Sequence, residues 1–598
     1  MTLPRVTITE LTRALGALPP STNLPMAIVA PADDGPLNTP GAYSRVEDVE
    51  ADFVGGHLVQ LAAYHLANYG GPVVVCRCNT SIDGSAGAPV AAADGTVSAI
   101  TKTGMGTSTF TIAAGALPNG AYSVKVRFPT GGTRGTAGII YEVSLDGGAT
   151  YGLERALGTA TSFTIPNAGS ITVNVSAGTI VDNDFITFTT TAPVLASAGS
   201  LVISFAGTSV PTIDASSEPN GYYEGYVEFV DGGTVGAPGI TYRESLDGGR
   251  TMSPLKALGA ASYLVLAESG GVRINLSAGT IVAGDSVSFS TVPPLPNGAD
   301  VGAALDALAA TSIRWQFVQL GGEVDALTFQ QFDSKVAAMR NVGKERWGMC
   351  HARMPNVGES RADYKTAIDG VFASLRATVF TTLTVNACKT ISGLDGREYR
   401  WPTSPAAASI HASVSLEENV AAKDIGRLKN VRIVDDNGNP DEYDERVHGG
   451  LDDSGYLVLR TWEGQGGAFV NIPRIFSAPG SDVRLIPHRR VLAAFNETLR
   501  VYFEDRLNKP TVVDSATGYI LPSEAVEMER GAEKAARAVL GARPMVSDLS
   551  VVVARDDDLL HTEDPHITVT GRIVPLVYPQ GFDITTGFIA PANNVVTA

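Results

Sequence analysis

The chain has 598 residues, 44 Lys and Arg against 62 Asp and Glu, and a formal net charge of -18. That length excludes a single domain, and the acidic surplus argues against a nucleic-acid partner, which needs clustered Lys and Arg. A hydrophobic share of 44% with 18% charged residues excludes disorder, and four cysteines are too few for a disulfide framework.

Taken in chain order, residues 1–24 read as an arm. Val6 and Ile8 alternate with Thr7 and Thr9 before Pro19 and Pro20 break the pattern. There is no basic stretch followed by an apolar core, so no signal peptide is expected. No run of about 18 apolar residues occurs anywhere, so no membrane insertion is expected. Residues 25–30 form a short apolar strand, and Asp33-Asp34-Gly35-Pro36 turns the chain. Val59, Ala62, Ala63 and Leu66 fall at helical spacing, and Asn68-Tyr69-Gly70-Gly71 ends that helix. Residues 72–76 read as a buried strand. Cys76 and Cys78 flank Arg77, which puts both thiols on one face as reduced cysteines.

From about residue 84 charge becomes sparse and Gly, Thr and Ser rise. Residues 106–193 recur without a gap as residues 207–294, an offset of 207 − 106 = 101. Ser144-Leu145-Asp146-Gly147-Gly148 becomes Ser245-Leu246-Asp247-Gly248-Gly249, and Ser176-Ala177-Gly178-Thr179-Ile180 becomes Ser277-Ala278-Gly279-Thr280-Ile281. A register kept so long marks a duplicated unit. Val124, Val126 and Phe128 alternate as Gly225, Val227 and Phe229 do. Short alternating strands with frequent turns predict two tandem all-β, Ig-like sandwiches, with the Ser-Leu-Asp-Gly-Gly segment as a hairpin.

After about residue 302 helices are predicted over 303–310, 328–340 and 361–376. Strands are predicted over 314–320, 346–353 and 378–387. That order implies a parallel sheet covered by helices, and residues 25–77 have the same character. One α/β domain interrupted by the two sandwiches is the economical reading. A strand near 456–459, helices over 488–506 and 523–540, and strands over 549–554 and 567–576 complete the chain. The residues from 581 onward read as a second arm.

No catalytic motif stands out. There is no nucleophile elbow, no phosphate-binding glycine loop and no metal-ligand spacing such as CxxC or HExxH. Gly464-Gln465-Gly466-Gly467 follows a strand with no helix behind it. The carboxylate clusters Asp435-Asp436, Asp441 to Asp444 and Asp556-Asp557-Asp558 sit in turn-rich sequence and read as solvated loops. Arg484, His488, Arg489 and Arg490 form a local basic cluster. No metal, cofactor or enzymatic activity is expected. A long chain without a site but with two alternating arms reads as a building block that lends strands to its neighbours.

The flanks resemble the tail sheath proteins of contractile phages and related injection machines. Three segments carry the resemblance. The first is Ala27-Ile28-Val29-Ala30, Gly35-Pro36 and residues 46–53. The second is the helix ending in Asn68-Tyr69-Gly70-Gly71-Pro72 with its strand to Arg77. The third is Leu459-Arg460-Thr461-Trp462, Val470-Asn471-Ile472-Pro473-Arg474, residues 483–490 and the helix behind them. The sequence departs from the family pattern at residues 462–467, where a simple turn is more common.

The resemblance implies a multidomain α+β and α/β fold: a discontinuous α/β sheath core, two inserted sandwiches and extended arms. The expected division begins with an N-terminal arm over 1–24 and a first core segment over 25–87. Sandwiches over 88–195 and 196–297 follow, then a second core segment over 298–455. A C-terminal sheath-like domain over 456–565 and a strand and arm over 566–598 complete it. The resemblance further implies hexameric rings stacked around a tail tube, with baseplate and tail terminator proteins as further partners. Contraction would drive the tube through a bacterial envelope, in a virion tail assembled in the host cytoplasm. The expected linking residues are Val6, Ile8, Ile567, Val569, Ile573 and Leu576, and the helix over 523–540 is a candidate tube contact. Two rival readings remain. A surface receptor- or glycan-binding protein predicts exposed aromatics in the sandwich loops, with Tyr222, Tyr223 and Tyr226 as candidates. An enzyme with accessory sandwiches predicts a polar cleft.

Overall fold

Apolar β-branched runs with no polar alternation demand cover on both faces, and the first strands of this chain receive it. The structure is a computed structural model. It describes residues 24–87, 96–118, 120–191, 202–214, 216–356, 358–434, 440–441, 450–541, 544–561 and 565–580. The chain forms two compact units, Met1–Arg500 and Val501–Ala598. Val6, Ile8 and the rest of the expected N-terminal arm through residue 23, together with residues 581–598, lie outside the described residues. So do Asp435, Asp436, Asp444 and their neighbours.

In the first unit the chain runs β1 (Ala27–Ala30), β2 (Gly41–Tyr43), α1 (Val46–Phe53), α2 (His57–Asn68) and β3 (Val73–Arg77). The two β modules follow. Then come α3 (Gly298–Ala310), β4 (Phe317–Glu323), α4 (Ala326–Ala338), β5 (Trp347–His351), α5 (Arg361–Phe372) and β6 (Thr381–Thr384). These strands make one six-stranded sheet in the order β2-β3-β1-β4-β5-β6. Strands β3, β1, β4, β5 and β6 are parallel, and β2 alone is antiparallel. Ala27 lies level with Val74 on one side and Val318 on the other. Strands from before and after the modules are therefore hydrogen-bonded neighbours.

The period of two along each strand sorts the side chains into two cores. Ile28, Ala30, Val73, Val75 and Met349 pack in a cluster with α2 residues such as Leu58 and Leu61. Ala27, Val29, Val74, Cys76 and Cys350 pack in another with α3, α4 and α5 residues such as Leu305, Phe329 and Tyr364. The helices start where the sequence supplies caps. Asn297 accepts from the N–H groups of Ala299 and Asp300 while Asp300 returns a bond to the Asn297 N–H. Asp325 accepts from Thr328 N–H at 2.7 Å. The helix α2 ends at Asn68, and Gly70 and Gly71 take φ of 70° and 79° as the turn requires.

The single strand expected over 378–387 is two. Asn386 adopts φ 70° and ends β6. The next strand, β7 (Ala387–Ile391), opens a different sheet with β8 (Glu398–Pro402), β9 (Val431–Val434) and the short Pro440–Asp441 strand. A left-handed residue breaks strand continuity, and Asn is among the few that reach it cheaply. Between β8 and β9 lies the buried helix α6 (Ser404–Ser413), whose small side chains carry little periodic signal. The pair β10 (Leu459–Trp462) and β11 (Gln465–Val470) and the helix α7 (Ile486–Glu504) follow. The strand expected at 456–459 pairs antiparallel only from Leu459 on.

Each module has a larger sheet, a three-stranded sheet and a short two-stranded pair, Gly132–Thr133 with Thr179–Ile180 in the first and Gly233–Thr234 with Thr280–Ile281 in the second. In the first, a five-stranded sheet is centred on Ser123–Thr130, and the strands Phe110–Ile112, Ser162–Thr164 and Thr172–Val175 make a smaller one. In the second, Glu224–Asp231 and the strands Pro211–Ile213, Tyr263–Leu266 and Val272–Leu276 take the same places. The Ser-Leu-Asp-Gly-Gly segments join antiparallel strands, but over the long connection 145–154 rather than a tight hairpin. Asp146 closes it, accepting from Ser144 Oγ at 2.5 Å and Thr150 N–H at 2.9 Å. Asp247 repeats this with Ser245 and Thr251. The shared motif is thus a side-chain-pinned loop.

The second unit is built from α8 (Pro522–Leu540), β12 (Val546–Val553) and β13 (Val569–Pro575). The two strands form an antiparallel pair, with Val551 opposite Gly571. Ala525, Met528 and Val553 pack together with Ile567 and Val569 at their margin.

Candidate assembly site

The cysteines and four of the eight histidines are buried. All four cysteines are free and buried, and burial pushes the Cys76 and Cys388 thiols up to about 12. Burial lowers His57 and His65 to about 4 and His351 and His411 to about 3. Among the described residues no group of three His, Cys, Asp or Glu side chains could hold a metal ion. Asp557 accepts from Thr568 N–H, and Asp558 accepts from the N–H groups of Leu560 and His561. Asp558 therefore closes a local turn, and Asp557 ties that loop to the residue before β13. No helix of the described residues is long and apolar enough to cross a membrane.

The basic cluster divides: Arg484 is exposed and His488 partly so, while its two consecutive arginines are buried. Arg489 and Arg490 are 1% and 2% exposed. Arg489 pairs with Glu345 at 2.8 Å and lies over the Phe380 ring at 4.4 Å. Arg490 donates to the carbonyls of Val414 and Ser415 at 2.8 and 3.0 Å. The helix α7 places consecutive arginines on its buried face, where Arg490 ties it to the Val414 and Ser415 carbonyls and Arg489 to Glu345. Charge pattern alone could not separate this arrangement from a solvated basic patch.

Tyr222 and Tyr223 are buried as well, at 1% and 7% exposure. Tyr222 packs edge-on against His57, with ring centres 5.2 Å apart. Tyr223 Oη accepts from Gln60 Nε2 at 2.9 Å and donates towards Asn220. They join the second module to α2, and Tyr226 alone stays partly exposed. The polar hollow in this region, about 190 Å³ and lined by Glu244, Lys256, Glu268 and Arg397 among others, lies along the same junction.

Among the described residues, the second unit presents a strand edge with no neighbouring strand. Val551 N–H donates to Glu533 at 3.1 Å and Val553 N–H to Glu529 at 2.8 Å. Because alternate residues of a strand direct their N–H groups to opposite sides, those two bonds identify the outer side of β12. It is closed by carboxylates from α8. On β13 the residues level with Val551 and Val553 are Gly571 and Val569. Their backbone groups, with those of Ile573, face away from β12 along the remaining edge. The side chains of Ile567, Val569, Ile573 and Leu576 are all partly buried, whereas Val574 and Val577 are 53% and 84% exposed. The four residues singled out in the sequence therefore contribute packing, and of these Val569 and Ile573 also present edge main chain.

No family model matches this chain, and no curated protein matches it. Solved structures do. A sheath tail protein from Listeria innocua is 12% identical, with a TM-score of 0.37, 92% of this chain and 94% of that one covered. A sheath tail protein from Desulfitobacterium hafniense is 10% identical, with a TM-score of 0.38 and coverages of 96% and 100%. The sheath complex of an extracellular contractile injection system in its contracted state is 13% identical, with a TM-score of 0.33 and coverages of 48% and 74%. The solved structures to which this chain is similar are thus tail sheath proteins and sheaths of contractile injection systems.

Proposed function

We propose that this chain is a structural sheath subunit that polymerises by strand exchange between copies. The observation that carries the reading is the two-stranded sheet of the second unit. A two-stranded antiparallel pair is marginal by itself, and here one edge is sealed by Glu529 and Glu533 while the other is left to β13. A strand added beside Val569, Gly571 and Ile573 would complete the sheet through main-chain bonds. The segment with Val6 and Ile8 from a second copy is the donor the sequence pattern favours. The resemblance of the flanks supplies the rest of the reading: stacked hexameric rings, a tail tube within, and baseplate and terminator proteins at the ends. Energy for contraction would come from the difference between two packings of the same subunits, without a nucleotide. The helix α8 is the candidate tube contact. The proposed domain order is the one expected from the sequence, with the two modules as Ig-like insertions in a split core.

Negative-stain microscopy of the full-length chain is expected to show hollow tubes or stacked rings, and a monodisperse monomer at high concentration would overturn the reading. Deleting residues 1–20, or replacing Gly571 by Pro to remove one edge donor, should each leave circular dichroism unchanged and abolish tubes. Normal tubes from both variants would sink the strand-exchange assignment. The surface-binding alternative loses its support, because Tyr222 and Tyr223 are buried against the core.

A further inference from the structure

The duplication is a comparison built into one chain, and it singles out one surface. Both modules approach the α/β core with the same end, yet they meet it differently. The first keeps its own hydrophobic core, which Leu327 of α4 joins from outside. The second has no separate core, because Val227, Phe229 and Ile274 belong to one cluster with Ile28, Leu58 and Trp401.

Three ion pairs ring the second contact. Glu224 meets Lys389 at 3.0 Å, and Lys389 is only 6% exposed. Glu268 meets Arg397 at 2.7 Å, and Arg250 meets Glu398. Inside that ring lie the Tyr223 ring, 5.5 Å from Tyr399, and its bond from Gln60. At the offset of 101 residues the first module has Ser123 for Glu224, Ala149 for Arg250 and Asn167 for Glu268. None of the three carries a charge. The residues that pin the loop beside Arg250, Ser245, Asp247 and Thr251, recur as Ser144, Asp146 and Thr150, so the charges are not demanded by the loop's closure.

We infer that the core surface of His57, Gln60, Lys389, Arg397, Glu398 and Tyr399 is a recognition seat that selects the second module over its sibling by charge. Seating the first module there would leave Lys389 buried opposite Ser123, a lysine with no carboxylate partner, and would leave Glu398 and Arg397 facing Ala149 and Asn167. Glu398 keeps Arg432 and Arg397 keeps Asp395, so Lys389 is the unpaired buried charge by which the seat rejects a near-identical competitor. The consequence is a division of labour. The second module is keyed to the core as part of its framework, and the first is the copy left to vary. This holds whether or not the chain polymerises. In a polymer the same rule keeps the first modules of neighbouring copies out of the seat.

The test uses the full chain with Glu224→Ser, Arg250→Ala and Glu268→Asn together, read by hydrogen exchange. Peptides over 219–226 and 386–402 are expected to exchange roughly tenfold or more faster. Peptides over 110–130 and 326–338 should keep their protection. Unchanged exchange at the seat, or equal loss across the whole module, would overturn the inference. A charge swap guards against simple misfolding. Glu224→Lys and Lys389→Glu should each loosen the seat, and the double variant should restore protection to within about threefold. A double variant no better than either single one would also overturn it.

Discussion

Arg489 and the four buried histidines carry the residue-scale predictions. Truncating Arg489 to Ala removes the more buried of two arginine partners of Glu345, which is 9% exposed and keeps Arg340 at 3.1 Å. The loss expected in chemical denaturation is about 1–3 kcal/mol. The histidines set the response to acid. Each has a folded pKa below its ordinary 6.5, at about 4 for His57 and His65 and about 3 for His351 and His411. The unfolded chain therefore binds protons that the folded chain refuses, and stability falls as pH drops from about 6.5 towards 4. Glu323 works the other way. Burial raises it from 4.5 to about 7, so its contribution is full below 4.5 and is lost as pH rises through 7. Four groups outweigh one, and urea midpoints should be lower at pH 5 than at pH 7. Replacing Glu323 by Gln should stabilise the chain at pH 8 by about 1–3 kcal/mol and change little at pH 4.

At the scale of elements, the two sheet edges of the second unit are treated oppositely. Exposed edges invite unwanted pairing, and proteins blunt them with charge. Glu529 and Glu533 perform that task on β12. Replacing both by Ala should keep α8 helical while raising light scattering from disordered aggregates, in contrast to the ordered loss of tubes expected from blocking β13. The helix registers and the strands β1, β3, β4 and β5 are legible in the sequence, because periods of 3.6 and unbroken apolar runs are local signals. The division of 378–387 is not. It depends on Asn386 turning left-handed so that β7 can leave one sheet for another, and a single Asn does not announce that. The paired outer-face charges of the modules show the same dependence on partners. Arg127 faces Glu142 across one sheet, and Glu228 faces Arg243 in the other with the signs exchanged.

For the whole molecule, the two modules should respond differently to removal. The ends of the first are adjacent, with Thr96 and Thr191 hydroxyls 2.9 Å apart. Excising residues 96–191 with a short Gly/Ser linker should therefore leave a folded chain that still assembles, with a melting temperature within a few degrees of the parent. Excising residues 202–292 instead uncovers the tyrosine seat and leaves Lys389 without Glu224. That chain is expected to be poorly soluble and to lose the cooperative transition of the core. Equal tolerance of both deletions in thermal scans would contradict the different packing of the two copies.

The amino-acid sequence by itself determined the duplication and the α/β character of the flanks. Those depend on periodicity, turn glycines and caps, all of which act within a few residues. Only the tertiary structure decided that an arginine pair is buried, that two tyrosines are a joint rather than a binding surface, and which strand edge stays open. Each of those depends on a partner far away in the chain. The free energy of a charge, a phenol or an unpaired amide is set by whether that partner or water meets it.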